Sequence, residues 1–520
     1  MAISGLNFAC RPHVTIRPPL LHFIRKFRFS SVAAIEALDE PVNGKLYNSA
    51  TSQGTGEENS TMPEWKKLNS KDLGIRTSRI PEPTRKVLNV LKDRGYEVYL
   101  VGGCVRDLIL NRIPKDFDIL TSAELEKVVG MFSFCSIVGR RFPICHVNID
   151  GTIVEVSSFS TSREKFTGDV NHELVRHFGN DEKNVDRWRN CLQRDFTING
   201  LMFDPYSKEV YDYTRGIEDI RKAKVRTVIP ASTSFQEDCA RILRAVRIAA
   251  RLGFRFSNKT AYFVKSLSPS ILRLDKARLL MEVNYMLAYG SAEASLRLLW
   301  RFKLLELLLP IQARYFVRQG FGRHDTRSNM LLAVFSNLDK LLGPDRPCHS
   351  SLWVGILAFH EALSEHPRDT SVIAAFSLAV HNGGDMSEAV DITKRITRPH
   401  DISFPELSEP QNLDSQELIN EVMHLADSVK DALTKMTYRC YNLRAQNSDP
   451  AFISPPLSSK ACRIFDCVRD GVGKGFVSKQ GSEINYRLLA WGSLEEVRRV
   501  FARTVFDTVY PLRLTQTRTT

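Results

Sequence analysis

The stretch at residues 99–121, YLVGGCVRDLILNRIPKDFDILT, limits what this chain can fold into more than any other segment. The apolar run at 99–101 predicts a buried strand, and Gly102 and Gly103 then predict a tight turn before a helix. Free backbone N–H groups at such a turn can bind a phosphate group, and Arg106 adds a donor for charge-assisted hydrogen bonds. A Gly-Gly turn is usually only a turn, so this phosphate site is a hypothesis that needs support from neighbouring residues.

Two carboxylates close this stretch. Asp116 and Asp118 are two residues apart, and both would lie on one face of a strand because side chains alternate along it. Such a pair can hold one or two Mg²⁺ ions, which prefer oxygen ligands and share them with a phosphate substrate. Glu155, in the alternating run at 153–156, should face away from its apolar neighbours and can complete a two-metal site. The alternative is a solvated loop for the aspartates and a solvent-facing strand position for the glutamate.

In combination, G-G-x-V-R-D at 102–107 followed by D-x-D at 116–118 resembles the signature of class II nucleotidyltransferases of the polymerase β superfamily. This family contains the CCA-adding enzymes and the bacterial-type poly(A) polymerases, and the resemblance covers about residues 81–310. It implies an enzyme whose catalytic residues, which also bind Mg²⁺, are Asp116, Asp118 and Glu155. It further implies that the triphosphate of the nucleotide is bound by Gly102, Gly103 and Arg106.

The same resemblance implies the fold class, an α/β head with a mixed nucleotidyltransferase sheet and helices, followed by an all-α neck, body and tail. The head is expected at residues 81–215. A helical neck with base-reading and RNA-binding helices is expected at 216–310, and a helical body and tail at 311–520.

A further motif, R-D-F-T-I-N at residues 194–199, extends the resemblance. It implies that Arg194, Asp195 and Asn199 bind the nucleotide. A neighbouring Arg and Asp can contact a phosphate and a ribose hydroxyl together, so the implied role is the choice of a ribonucleotide over a deoxynucleotide.

A third motif, E-D-x-x-R-x-x-R, begins at Glu237 and is predicted to lie on one helix that starts near residue 235. Asp238 and Arg241 would then share a face, and spacing alone favours a salt-bridged face in solvent. The resemblance implies instead that Asp238 and Arg241 read the base of the incoming nucleotide, with Arg244 in support.

The segment V-G-R-R-F at 138–142, with H-V at 146–147, resembles the one that marks bacterial-type poly(A) polymerases. It favours template-independent addition of AMP residues from ATP to RNA 3′ ends. The base-reading motif fits CCA addition to tRNA from CTP and ATP equally well, because adenine and cytosine both carry an amine beside an acceptor nitrogen. A non-catalytic RNA-binding protein on this scaffold is a third alternative. The expected partners are RNA 3′ ends, either mRNA-like or of tRNA.

The segment at residues 1–35 carries basic residues, Ser and Pro but no acidic residue, as an organellar transit peptide does. The mitochondrion and the plastid are both open, and an ordinary basic tail is the alternative. Residues 36–80 are polar and predict a disordered linker. The net charge of +13 suits a polyanionic partner. No apolar run reaches the length of about 18 residues that a membrane span needs, so no membrane is expected.

Overall fold

The computed structural model describes residues 65–139, 143–163, 181–401, 403–409, 411–442, 453–471 and 483–511. Within these ranges the chain forms a mixed β-sheet with flanking helices, followed by a region that is almost entirely helical. This arrangement confirms the predicted fold class, an α/β head before an all-α neck, body and tail. The predicted transit peptide at 1–35 and the poly(A)-polymerase-like residues 140–142 lie outside the described ranges.

One sheet of eight strands forms the head in the described part of the chain. Its strands are β1 Lys66–Asn69, β2 Val98–Val101, β3 Asp118–Thr121, β4 Cys135–Val138, β5 Ile144–Ile149, β6 Thr152–Ser158, β7 Met202–Asp204 and β8 Glu209–Asp212. The strand order is β1-β8-β7-β2-β3-β6-β5-β4. Neighbouring strands are antiparallel except for β3 and β6, which are parallel. Two short parallel pairs lie elsewhere, β9 Lys224–Val225 with β10 Arg255–Phe256 and β11 Arg368–Asp369 with β12 Leu407–Ser408.

Strand β2 lies near the middle of the sheet and is buried on both faces. Because side chains alternate along a strand, Val98 and Leu100 enter a large core that continues into the helical region. Tyr99 and Val101 enter a smaller core on the opposite face. The sheet is therefore covered by a core on each face at β2, and these two cores fix the position of the turn that follows it.

Helices of the predicted head are α1 Glu82–Asp93, α2 Gly103–Ile109, α3 Leu125–Met131, α4 Ser160–Arg163 and α5 Glu182–Leu192. Those of the predicted neck are α6 Gly216–Arg221, α7 Ala231–Glu237, α8 Ala240–Leu252, α9 Asn258–Ser266, α10 Lys276–Leu287, α11 Ala292–Arg301 and α12 Leu305–Leu308.

The predicted body and tail contain α13 Pro310–Arg318, α14 Met330–Leu342, α15 Ser350–Glu365, α16 Thr370–His381, α17 Met386–Thr393, α18 Ser415–Asn442, α19 Pro455–Cys462, α20 Asp466–Asp470, α21 Tyr486–Trp491 and α22 Leu494–Val509. Among the described residues, none of the helices combines the length and the apolarity that crossing a membrane requires.

The predicted disordered linker at 36–80 is wrong at its C-terminal end. Strand β1 pairs with β8, and Leu73, Ile75 and Ile80 are buried in the large core. The prediction rested on the polar composition of this segment. Composition does not reveal that these apolar side chains are buried by residues far along the chain. The first part of the linker, up to residue 64, lies outside the described residues.

The predicted continuous helix from near residue 235 is also wrong. Helix α7 ends at Glu237, Asp238 is extended with φ −146° and ψ 98°, and α8 begins at Ala240. The Asp238 Oδ1 accepts a hydrogen bond from the backbone N–H of Ala240 at 3.1 Å. A short acidic side chain favours such a helix start over a helix interior, because it competes for nearby backbone N–H groups.

Candidate active site

The turn after β2 brings three functional elements together. Gly102 has φ 79° and ψ −141°, a conformation that side chains with a Cβ rarely adopt. A Cβ at this position would lie 3.4 Å from Oδ2 of Asp118 and 3.7 Å from Nη1 of Arg194. Glycine therefore lets the backbone approach a carboxylate and a guanidinium that come from other parts of the head.

The sheet register places the carboxylates. Asp118 is the first residue of β3 and lies opposite Val101 of β2. On the other side of β3, parallel β6 aligns Val156 with Ile119, which puts Glu155 beside Asp118. Glu155 is exposed while its neighbours on β6 are buried, as the alternation predicts. Asp116, Asp118 and Glu155 all line one cavity of about 630 Å³.

The electrostatic state of Asp118 follows from this crowding. Burial raises its pKa to about 6, and the negative charges of Glu155 and Asp116 act in the same direction. The positive charge of Arg194 opposes this rise but does not cancel it. A cation bound between these carboxylates would stabilise their charged forms.

The donor set fits a hard divalent cation, because it consists of carboxylate oxygens. Among the residues that the structure describes, no three His, Cys, Asp or Glu side chains are arranged to hold a metal ion by themselves. Mg²⁺ suits such a site, since it commonly keeps water and is bound by one or two carboxylates together with substrate phosphates. Asp116, Asp118 and Glu155 therefore stay the predicted metal ligands, with a nucleotide to complete the shell.

A hydrogen-bonded chain runs beneath the cavity from Arg106 to Arg244. Arg106 donates through Nη1 to Oδ1 of Asn199 at 2.6 Å, and Asn199 donates through Nδ2 to Oδ1 of Asp195 at 2.9 Å. Asp195 accepts at Oδ2 from Nη1 of Arg244 at 3.1 Å. Burial would raise the pKa of Asp195, but Arg244 and the donors from Asn199 and Phe196 lower it below its usual value.

Arg106 has a second role beside the predicted one. Its guanidinium is buried and donates through Nε to Oδ1 of Asp107 at 2.9 Å, in addition to the bond to Asn199. The predicted phosphate contact of Arg106 stays a prediction, and the observed contacts give it a structural role in the floor of the cavity.

The predicted base-reading residues line the cavity, but their side chains bond to other partners. Arg241 is buried and donates to the Ser234 hydroxyl at 2.9 Å and to the Gln193 carbonyl at 3.2 Å. Asp238 accepts at Oδ2 from Nη2 of Arg278 at 2.9 Å. Asp238 lies in the break between α7 and α8, whereas Arg241 lies on α8. The predicted shared helical face for these two residues is therefore absent.

All twelve predicted site residues line this single cavity: Gly102, Gly103, Arg106, Asp116, Asp118, Glu155, Arg194, Asp195, Asn199, Asp238, Arg241 and Arg244. A smaller adjoining cavity of about 200 Å³ shares Asp118, Glu155 and Arg194 with it. Sequence motifs separated by more than 120 residues therefore meet at one place, which is what a shared chemical function requires.

Sequence reasoning missed another group of residues on the same cavity, namely Lys115, Arg247, Arg251, Tyr285 and Tyr289. Helical spacing does not relate the two tyrosines, because Tyr285 lies on α10 and Tyr289 lies beyond its end. Nothing local to Lys115 indicated that it would meet α10, because that contact depends on how the neck packs on the head.

Two family models match this chain. The one described as "Poly A polymerase head domain" matches residues 98–226, and the one described as "Probable RNA and SrmB- binding site of polymerase A" matches residues 253–316. Poly(A) polymerase I of Escherichia coli O6:H1 is 33% identical over 339 residues, which are 62% of this chain and 71% of that protein. The CCA-adding enzyme of Geobacillus stearothermophilus is 34% identical over 215 residues, 41% of this chain and 51% of that protein.

Among solved structures, the Bacillus stearothermophilus CCA-adding enzyme in complex with CTP covers 82% of this chain and 97% of its own, at 22% identity and a TM-score of 0.41. The α/β head and the sequence matches define the class of this protein, an enzyme that transfers nucleotidyl groups. The chain belongs to the class II nucleotidyltransferase family, which includes the poly(A) polymerases I and the CCA-adding enzymes.

Proposed function

We propose that this nucleotidyltransferase adds AMP residues from ATP to the 3′ ends of RNA without a template. The observation that carries the proposal is the single cavity that joins the carboxylates Asp116 and Asp118 to Asp238 and Arg241. The similarity to the poly(A) polymerase I of Escherichia coli O6:H1 supports it, because that similarity spans 62% of the chain, against 41% for the CCA-adding enzyme of Geobacillus stearothermophilus.

In this proposal Asp116, Asp118 and Glu155 hold Mg²⁺, which when bound lowers the pKa of the RNA 3′-hydroxyl and neutralises charge on the triphosphate. Gly102 and Gly103 let the triphosphate approach the backbone closely, and Arg194 lies beside Asp118 to donate to it. Phosphoryl transfer depends on positioning and on charge stabilisation, so no covalent nucleophile is needed.

Asp238 and Arg241 are proposed to select the base. The Asp238 carboxylate accepts from the exocyclic amine, and Arg241 donates to a ring acceptor, a pattern that adenine and cytosine both match. Arg278 holds one oxygen of Asp238, and a carboxylate with about four acceptor sites can still accept from a base. Asp195 and Asn199 are proposed to contact the ribose, with Arg244 fixing Asp195.

The specific alternative is a tRNA CCA-adding enzyme that uses CTP and ATP. It is favoured by the 34% identity to CCA-adding enzymes and by the base pattern that adenine and cytosine share. A non-catalytic RNA-binding protein on the same scaffold is the further alternative. The division into a head at 81–215, a neck at 216–310 and a body with tail at 311–520 is part of the proposal, as is an organellar location directed by residues 1–35.

The test is a primer-extension assay with the purified chain and Mg²⁺. Each nucleoside triphosphate is supplied singly and in mixtures, on a tRNA that lacks its CCA end and on an unstructured RNA. Long tails made from ATP alone on both RNAs support poly(A) synthesis. Three nucleotides added to tRNA only, with CTP and ATP both required, establish CCA addition and overturn the proposal.

The matched control is the double variant Asp116→Asn and Asp118→Asn. It should lose orders of magnitude in rate while RNA binding, measured by fluorescence anisotropy, changes little. A double variant with normal activity would exclude these aspartates from catalysis. RNA binding without any incorporation by the unmodified chain would favour the non-catalytic scaffold.

A further inference from the structure

Two tyrosines and two cations line the neck side of the cavity, and we call this cluster the tyrosine platform: Tyr285, Tyr289, Lys115 and Arg247. Tyr285 lies on α10 and Tyr289 lies two residues beyond its C-terminal end, with the two ring centroids 5.2 Å apart. The Lys115 Nζ lies 5.0 Å and 4.8 Å from the two centroids, and the Arg247 guanidinium carbon lies 5.0 Å from that of Tyr285. Rings and cations in one groove are the elements that hold single-stranded nucleic acid.

The two cations of the platform differ in their charge balance. Arg247 forms an ion pair with the buried Glu282, with Nε 2.9 Å from Oε2. Lys115 is exposed and forms no ion pair with any of the described residues. The charge of Lys115 is therefore available to a phosphate, whereas that of Arg247 is already compensated.

The surroundings of the platform fit a role in binding the RNA. Lys115 directly precedes Asp116, so the platform adjoins the carboxylates. Its far side reaches the body, because the Tyr289 carbonyl accepts a hydrogen bond at 3.1 Å from the backbone N–H of Asp345, in the turn after α14. Arg241 and Gln193, where the incoming base is proposed to bind, line the same cavity.

We propose that the tyrosine platform stacks the 3′-terminal base of the RNA, while Lys115 neutralises a phosphate of the RNA end. A base that stacks on either ring replaces the Lys115 ammonium there, and the flexible lysine then reaches the backbone. The RNA 3′-hydroxyl is thereby held beside Asp116 and Asp118. This inference rests on the proposed function, because it assigns the RNA end of that same reaction.

The test uses the full chain and an oligoadenylate RNA whose 3′-terminal base is 2-aminopurine, a fluorophore that stacking quenches. Changing Tyr285→Ala together with Tyr289→Ala should weaken RNA binding between about five- and 150-fold, the range for losing one stacked base. It should also abolish the quenching. The corresponding double change to Phe keeps both rings and should retain quenching and affinity. Tyr262→Ala, an exposed tyrosine on α9 outside the cavity, is the matched control.

A second measurement addresses Lys115. Lys115→Met should reduce by about one the slope of log Kd against log salt concentration for RNA, because one phosphate contact is lost. An unchanged slope would overturn the phosphate contact. Thermal unfolding of every variant identifies any that fail to fold. If the Ala variants do, the quenching of 2-aminopurine by the unmodified chain remains the test, and its absence overturns the stacking.

Two outcomes overturn the inference. If the Ala variants raise KM for ATP and leave RNA binding unchanged, the platform holds the incoming base. If they change neither quantity, the tyrosines are structural. The quenching assay needs no catalysis and therefore separates the two proposals. If the RNA end stacks but is not extended, the proposed function is contradicted and the assignment of the tyrosine platform to the RNA base still holds.

Discussion

Arg244 on helix α8 donates to Asp195 of the head, with Nη1 3.1 Å from Oδ2. Asp195 is only 7% exposed, whereas the Arg244 side chain is 36% exposed. The ion pair therefore joins the neck to the head. The buried carboxylate relies on Arg244 to stabilise its charge, whereas solvent also stabilises the charge of the guanidinium.

Changing Arg244→Ala should lower the free energy of unfolding by about 2 kcal/mol. It leaves a buried carboxylate without its cation, and the cost falls below that of a fully buried pair because solvent screens Arg244. Urea denaturation followed by circular dichroism measures the change. Asp195→Asn added to Arg244→Ala removes the orphaned charge and should recover part of the loss. Strictly additive effects of the two changes would contradict the coupling.

The same pair predicts a pH dependence. The pKa of Asp195 is lowered in the folded protein, so its ionised form adds stability above its unfolded pKa of about 3.9. This contribution is lost as the pH falls from about 4 through the folded pKa. Arg244 is the largest cause of the lowering, so the pKa of Asp195 is higher without it, and the stability gap between the unmodified chain and Arg244→Ala should shrink as the pH falls through these two pKa values. A gap that stays constant from pH 7 to pH 3 would contradict this account.

Gly102 and Gly103 offer a matched pair of substitutions. Gly102→Ala places a Cβ in a strained conformation and 3.4 Å from the Asp118 carboxylate, which should cost about 2 kcal/mol of stability and at least tenfold in kcat/KM. Gly103→Ala lies in the first turn of α2 without positive φ, and its Cβ would meet Arg106 at 3.4 Å. It should stay within about 1 kcal/mol. Equal effects of the two changes, measured by thermal unfolding and nucleotide incorporation, would show that the conformation of Gly102 is unimportant.

The sequence predicts those parts of the site whose geometry is set locally. The strand, the Gly-Gly turn and the pair Asp116 and Asp118 lie within 25 residues, so alternation and turn chemistry suffice to relate them. The exposed position of Glu155 follows from alternation on β6 in the same way. Its place beside Asp118 follows from the parallel pairing of β3 with β6, which no local pattern predicts. The family resemblance implied only that the three carboxylates share a metal site.

Other features depend on contacts between distant segments. Arg106 donates a hydrogen bond to Asn199, 93 residues further on, and no local pattern gives that bond. The platform of Lys115 with Tyr285 and Tyr289 needs the neck to pack on the head. The break at Asp238 had a local signal, because aspartate favours a helix start, but the helical spacing of the following arginines outweighed it in the prediction.

Arg278 should influence which nucleotide is used. It holds Oδ2 of Asp238 at 2.9 Å, so Arg278→Ala should let the carboxylate reorient and change the ratio of kcat/KM for ATP and CTP by about tenfold. Steady-state incorporation of each nucleotide on one RNA measures the ratio. Arg273→Ala, on the exposed turn before α10, is the control and should leave the ratio unchanged. Equal losses with both nucleotides would limit Arg278 to a general structural role.

Gly384 should be essential to the packing of the helical body. It has φ 107° between α16 and α17, and an added Cβ would lie 2.2 Å from the Cys467 carbonyl oxygen and 2.8 Å from the Gly471 carbonyl carbon. Both obstacles are backbone atoms at helix α20, so Gly384→Ala must displace that helix and should cost about 3 kcal/mol or more. Gly320→Ala is the matched control, because φ is 57° and no atom lies within 4 Å of the added Cβ. It should cost about 1 kcal/mol. If thermal unfolding gives equal losses for both changes, the positive φ alone, and not contact with α20, explains the need for glycine at 384.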